Sequence, residues 1–257
     1  MEVEARPRLT REQALALLQR DRWAAVNALV EAEARRATPE ERFRDLDALV
    51  ATGTFFARGL AVAERPPEAL TPALAAVLSW LRSREVPFAV VGGVAVGLLG
   101  RPRYTKDIDV LVALEEPRIV EALASAREYA LQPRVPDVAV VALRTRVVLL
   151  RHAPTNMPVD VMLASVPIDF ELLDRTRVHE QGGLSIPLPR VQDLITMKVL
   201  AHRHLDLGDV DTLLAMNPTE DLADALRIVR EVAESACMPD LLAQFERLVR
   251  VRRGGRL

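Results

Sequence analysis

The chain has 257 residues, enough for one large domain or two modest ones, and half of them are hydrophobic, so a sizeable core is expected. A formal net charge of -2 excludes a nucleic-acid protein that works by bulk positive charge, and Cys237 as the sole cysteine excludes an internal disulfide. The opening MEVEARPRLT lacks the basic and apolar regions of a secretory signal, and no long uninterrupted apolar run follows, so the expectation is a cytoplasmic protein without a membrane span.

The first third reads as helices. Thr10 and Gln13 form a capping-box pattern that opens a long helix through REQALALLQRDRWAAVNALVEAEARR. Thr38-Pro39-Glu40-Glu41 is a second helix start, with proline at the first helical position. Pro66-Pro67 marks a linker, and Thr71-Pro72 opens the helix ALAAVLSWLRSRE. Trp23 and Trp80 fall on helical apolar stripes and are expected in the core.

The middle changes character. VPFAVV predicts a short buried strand, GGVAVGLLG a glycine turn and short helix, and KDIDVLVAL a second strand. EEPRIVEALASAREYA predicts a helix. TRVVLLRH and PVDVMLAS predict two strands joined by a turn at APTNM, and RVHEQGGLSIPL predicts a Gly-Gly hairpin. The last part returns to helices: PRVQDLITMKVLAHR, DVDTLLAM, TEDLADALRIVREVAES and MPDLLAQFERLVRVRR. The pattern predicts an α+β fold: a small mixed β-sheet flanked by N-terminal and C-terminal helices. The expected division is a helical extension over 1–75, a core over 76–188 and a helical region over 189–257.

Alternation along a strand places Asp107 and Asp109 on one face, joined by Thr105 and Arg103 if the extended conformation reaches that far, with Ile108, Val110 and Val112 opposite. Two carboxylates so close resist joint ionisation, and a divalent cation resolves the conflict. Mg²⁺ takes oxygen ligands, commonly one or two carboxylates plus phosphate oxygens. Asp160 repeats the pattern, one carboxylate between valines. Three such carboxylates on adjacent strands suit two metal ions and in-line displacement at phosphorus. An Asp-x-Asp alone is common at strand starts. Strand, Gly92-Gly93, short helix, then Arg-x-Thr-x-Asp-x-Asp is a much narrower pattern, since glycines let a ligand approach the backbone and a helix N-terminus suits phosphate.

Only two lysines, Lys106 and Lys198, stand among 34 cationic side chains; either the chain simply favours arginine, or a surviving lysine marks a place where an arginine fork does not serve. Lys198 sits on a helix whose apolar stripe is Leu194, Met197 and Ala201; the ordinary expectation there is a solvated lysine. Asp206 and Asp209 fit an N-cap and an early acid of the helix DVDTLL. His202 and His204 stand two apart on a helix and point away from each other, which argues against zinc. The basic C-terminus RLVRVRRGGRL is expected to be a solvated tail.

VVGGVAVGLLGRPRYTKDIDVLV resembles the nucleotidyltransferase superfamily of DNA polymerase beta type, and more closely the AbiEii-type nucleotidyltransferases of bacterial toxin–antitoxin systems. The likeness continues at PVDVML and at VQDLITMKVLAHRHLDLGDVDTLL, where Lys198, Ala201, Arg203, Asp206 and Asp209 match, and it covers roughly residues 76–215. It implies an Mg²⁺-dependent enzyme that transfers NMP from NTP to a hydroxyl of tRNA, a protein or a small molecule, with an antitoxin as a partner. It further implies that Asp107, Asp109 and Asp160 hold one or two Mg²⁺ ions. Gly92, Gly93, Arg103, Thr105, Lys198, Arg203 and Asp206 would bind the nucleotide, and Asp107, Asp109, Asp160 and Lys198 would carry catalysis. Two departures stand out. Many superfamily members have serine where this chain has Gly93, and Asp206 or Asp209 competes with Asp160 as the third essential carboxylate. The alternative reading is a nucleotide- or partner-binding module without turnover.

Overall fold

The computed structural model describes residues 10–18, 20–36, 69–103, 105–201 and 204–254. The expected helix start at Thr38, the Pro66-Pro67 linker, the side chain of Trp23, and His202 and Arg203 lie outside the described residues. The chain divides into two compact units, residues 21–190 and residues 1–20 with 191–257.

The larger unit is built on a five-stranded sheet. Helix α1 (Arg11–Leu18) belongs to the other unit, and α2 (Arg20–Arg36) lies almost wholly in this one. Helix α3 (Leu70–Ser83) buries Leu70, Ala73, Leu74, Val77, Leu78 and Leu81 along one stripe. Trp80 is also buried, and its indole N–H is shared by the Ala122 carbonyl and Ser125 Oγ at 3.2 Å each, a polar handle satisfied inside the core.

Strand β1 (Phe88–Val91) runs straight into helix α4 (Gly92–Leu99), and a loop leads to β2 (Ile108–Val112). Helix α5 (Ile119–Ala126) follows, then the short strand β3 (Leu131–Pro133), helix α6 (Val138–Thr145) and strands β4 (Val147–His152) and β5 (Met157–Leu163). Helix α7 (Pro167–Asp174) and the hairpin β6 (Arg177–Gln181)–β7 (Leu184–Leu188) complete the unit. The strand order is β1-β2-β5-β4-β3; β2 and β5 are parallel and the other pairs antiparallel. The architecture is α+β with a mixed sheet, as the sequence predicts. The apolar runs of β2, β4 and β5 are buried almost throughout, which is why they lack polar alternation. His152, at the end of β4, is buried; that burial pushes its pKa below the usual 6.5, and its Nδ1 lies 2.8 Å from Thr155 Oγ1. The hairpin turns at Gly182-Gly183, both at positive φ, as a two-residue turn between right-twisted strands requires.

The sequence reading leaves β3, α6 and α7 unassigned. Three residues are too few to show a period, and the β-branched run of α6 favours strand by propensity until tertiary packing overrides it.

The second unit contains α1, α8 (Val191–Ala201), α9 (His204–Met216), α10 (Ala223–Ser235) and α11 (Pro239–Arg252). Thr10 and Gln13 make both bonds of the expected capping box, at 2.9 and 3.2 Å. Helix α8 is buried on nearly every face, including Gln192, Asp193, Thr196 and Lys198, so it is the central helix of this group. The basic C-terminal segment is solvent-exposed at Arg250, Val251 and Arg252, as expected, but it is helical through Arg252 and ion-paired rather than a loose tail. Arg250 pairs with Glu246, Arg252 forks onto Asp211, and Arg253 donates to the Glu220 carbonyl.

Candidate active site

The three carboxylates of the strand motifs converge. One oxygen from each of Asp107, Asp109 and Asp160 lies within 4.8 Å of the others. Sheet register explains two of them: Asp109 and Asp160 are direct partners in the parallel β2–β5 pair, so their side chains share a face. Asp107 arrives differently from the simple alternation argument. Strand β2 begins only at Ile108, and Lys106–Asp107 form a bend. Arg103, Thr105 and Asp107 are therefore not consecutive members of one strand face. The Thr105 hydroxyl, within hydrogen-bonding distance of both the Asp107 carbonyl and Oδ1 at 3.1 Å, holds the bend and directs the carboxylate instead.

The glycine pair has a steric cause inside the protein. Asp109 pairs with Val91, the last residue of β1, and the chain leaves the sheet at the next residue. A Cβ at Gly92 would stand 1.8 Å from Asp109 Oδ2, and Gly92 itself has φ of +59°. A Cβ at Gly93 would stand 2.3 Å from Thr105 Oγ1 and 3.2 Å from Arg103 Nη2. The start of α4 is thus a cradle without side chains, filled from the β2 side by Asp109, Thr105 and Arg103. Thr105 is buried, and Asp107, Asp109 and Arg103 are half-buried.

One member of this cluster escaped the sequence reading. Arg134, just beyond β3, donates from Nη1 to Asp160 Oδ1 at 2.7 Å, with side chains only 5% and 9% exposed. It follows a strand too short to be seen in the sequence, and no motif surrounds it.

The donor set fits a hard cation. Three carboxylates in reach of one point, with no histidine or thiol among them, suit Mg²⁺ or Mn²⁺ rather than zinc.

Within the second unit, the residues of the late helical motif come together. Helix α9 begins at His204, so Asp206 and Asp209 are not its cap but lie inside it, on one face at a spacing of three. Lys198 is not solvated: its Nζ lies 3.0 Å from Asp206 Oδ1 and 2.9 Å from Asp209 Oδ2, and all three side chains are buried.

No known protein family and no curated protein matches this chain. Among solved structures, it is similar to an antigenic nucleotidyltransferase-like protein from Paracoccidioides brasiliensis. The identity is 17% over 68% of this chain and 91% of that one, with a TM-score of 0.41. It is also similar to the antibiotic-resistance factor ANT(2'')-Ia, at 14% identity over 70% of this chain and 89% of that one, with a TM-score of 0.36.

Proposed function

We propose that this chain is a divalent-metal-dependent nucleotidyltransferase, moving NMP from an NTP to an acceptor hydroxyl. The observation that carries the reading is the convergence of Asp107, Asp109 and Asp160 beside the side-chain-free start of α4. Asp107 and Asp109 would hold the ion, which neutralises phosphate charge and orients the triphosphate. Gly92 and Gly93 put no side chain of their own at the helix start, and the room this leaves brings Asp109, Thr105 and Arg103 against it, where a triphosphate held by the ion would lie. Glycine at position 93, where the family resemblance leads one to expect serine, does not leave the place without a hydroxyl: Thr105 Oγ1 stands there.

In the reaction, the acceptor oxygen attacks the α-phosphorus as its proton passes to the Asp160 carboxylate. The bond from the α-phosphorus to the bridging oxygen breaks, and pyrophosphate leaves with that electron pair. The choice of tRNA, protein or small molecule as acceptor, and pairing with an antitoxin, rest on the sequence resemblance.

The test is incubation with each α-labelled NTP, Mg²⁺ and either total tRNA or cell lysate. Label should pass to one acceptor class, stop in excess EDTA, and fall at least about 100-fold in Asp107→Asn at an unchanged melting temperature. Transfer that persists in EDTA or in Asp107→Asn, or no transfer from any NTP, would refute the reading.

A further inference from the structure

Arg134 stands in one lateral row of the sheet with two of the carboxylates. Its backbone N–H donates to the Leu149 carbonyl at 3.0 Å; Leu149 is the partner of Asp160, and Asp160 is the partner of Asp109. Arg134 is therefore two strands from Asp160, about 10 Å by strand spacing, a span that an extended arginine meeting an aspartate covers. Asp160 is fixed within β5 and Arg134 by its backbone hydrogen bond to β4, so the ion pair is built onto the sheet. A guanidinium keeps its charge at any working pH.

The charge count follows. Three carboxylates carry -3; Arg134, paired with Asp160, and Arg103, beside Gly93, bring the cluster to -1, which a single divalent ion more than cancels. A second divalent ion would have to sit within a few ångströms of a buried, permanent cation, against like-charge repulsion that a low-dielectric setting magnifies.

We propose that Arg134 takes the place of a second metal ion: it cancels Asp160, so that the free protein binds a single divalent cation through Asp107 and Asp109. Arg134 is then a positioning residue. It keeps Asp160 out of the ion's ligand set and aimed at the acceptor. The inference rests on the metal site of the proposed function.

The experiment is Mn²⁺ titration of the full chain without nucleotide, read by the electron paramagnetic resonance of free Mn²⁺ and by calorimetry. Wild type should bind one ion. Arg134→Gln should bind a second ion, or bind the first about ten-fold tighter, and Arg134→Lys should keep one. A guanidinium that merely orients a ligand gives the opposite sign, because losing it weakens the ion about 10- to 100-fold. The pair-removing variant Arg134→Gln/Asp160→Asn tests the same point in a chain with no uncompensated buried charge. It should bind one ion within about three-fold of wild type. Two ions in wild type, weaker or unchanged single-ion binding in Arg134→Gln, or a ten-fold loss in the double variant overturns the inference and leaves the metal site standing. No ion in wild type overturns the metal site itself, and this inference with it.

Discussion

A methyl group at position 92 would have to occupy the place of Asp109 Oδ2, and one at position 93 the place of Thr105 Oγ1. These clashes differ in kind. At Gly92 the backbone is also left-handed, so a side chain is strained whatever moves aside. We expect Gly92→Ala to cost about 1–3 kcal/mol and to abolish Mn²⁺ binding, since the displaced group is a ligand of the proposed site. Gly93→Ala meets Thr105, which can be shortened, and the flexible end of Arg103. Its cost should be of similar size but should shrink by at least about 0.5 kcal/mol when combined with Thr105→Gly. Urea unfolding of the two singles, Thr105→Gly and the double variant measures that coupling; strict additivity would show that the Thr105 contact is not what excludes a side chain. The glycine pair itself was legible in the sequence. Its reason was not, because the residues it makes room for lie across a turn whose geometry no spacing rule supplies. The same gap explains Asp107, which alternation assigns to a strand but which the Thr105 hydroxyl holds in a bend.

Among the elements, α8 and α9 show how residues singled out by spacing can sit in a different local setting from the one expected. Lys198, Asp206 and Asp209 stand out in the sequence, yet starting α9 too late turned two buried acids into caps, and the apolar stripe of α8 suggested a solvent face that does not exist. A buried ammonium between two carboxylates is held mainly by what its removal would leave behind. Lys198→Met should therefore lower stability by about 3–5 kcal/mol, because a buried ammonium within 3.0 Å of Asp206 and 2.9 Å of Asp209 is removed from among buried carboxylates. Lys106 is exposed, and Lys106→Arg should stay within about 0.5 kcal/mol. Denaturant midpoints of the variants check both. A Lys198→Met chain as stable as wild type would mean that the cluster does not anchor α8 to α9. The strands were read more securely, since β1, β2, β4, β5 and the Gly-Gly hairpin each combine an apolar run with a turn signal. Strand β3 has neither, and with it Arg134 was lost to the sequence reading.

For the molecule as a whole, the proposed metal site would make the sheet sensitive to a small ion. A ligand held only by the native state stabilises it by about 2.7 kcal/mol at a hundred-fold excess over Kd. The transition that melts the sheet should therefore rise by several degrees in saturating Mn²⁺, and Asp109→Asn should lose that rise while keeping its own transition. Scanning calorimetry with and without the ion reads both, and an equal rise in the variant would place the ion elsewhere.

The parallel β2–β5 pair has one more consequence. Parallel neighbours cannot be joined by a tight turn, and here α5, β3, α6 and β4 all intervene before Asp160 arrives beside Asp109. Closing so long a loop must be accomplished before any contact rewards it, and antiparallel β1–β2 and β4–β5 are far more local. The hairpin-like halves can form early, each carrying part of the carboxylate set, while the complete set exists only after the crossover docks. On this topology Asp107 and Asp109 can be in place on their strand before the crossover brings Asp160 beside them, so the complete set of three acids, and with it the proposed chemistry, is expected as a late event of folding.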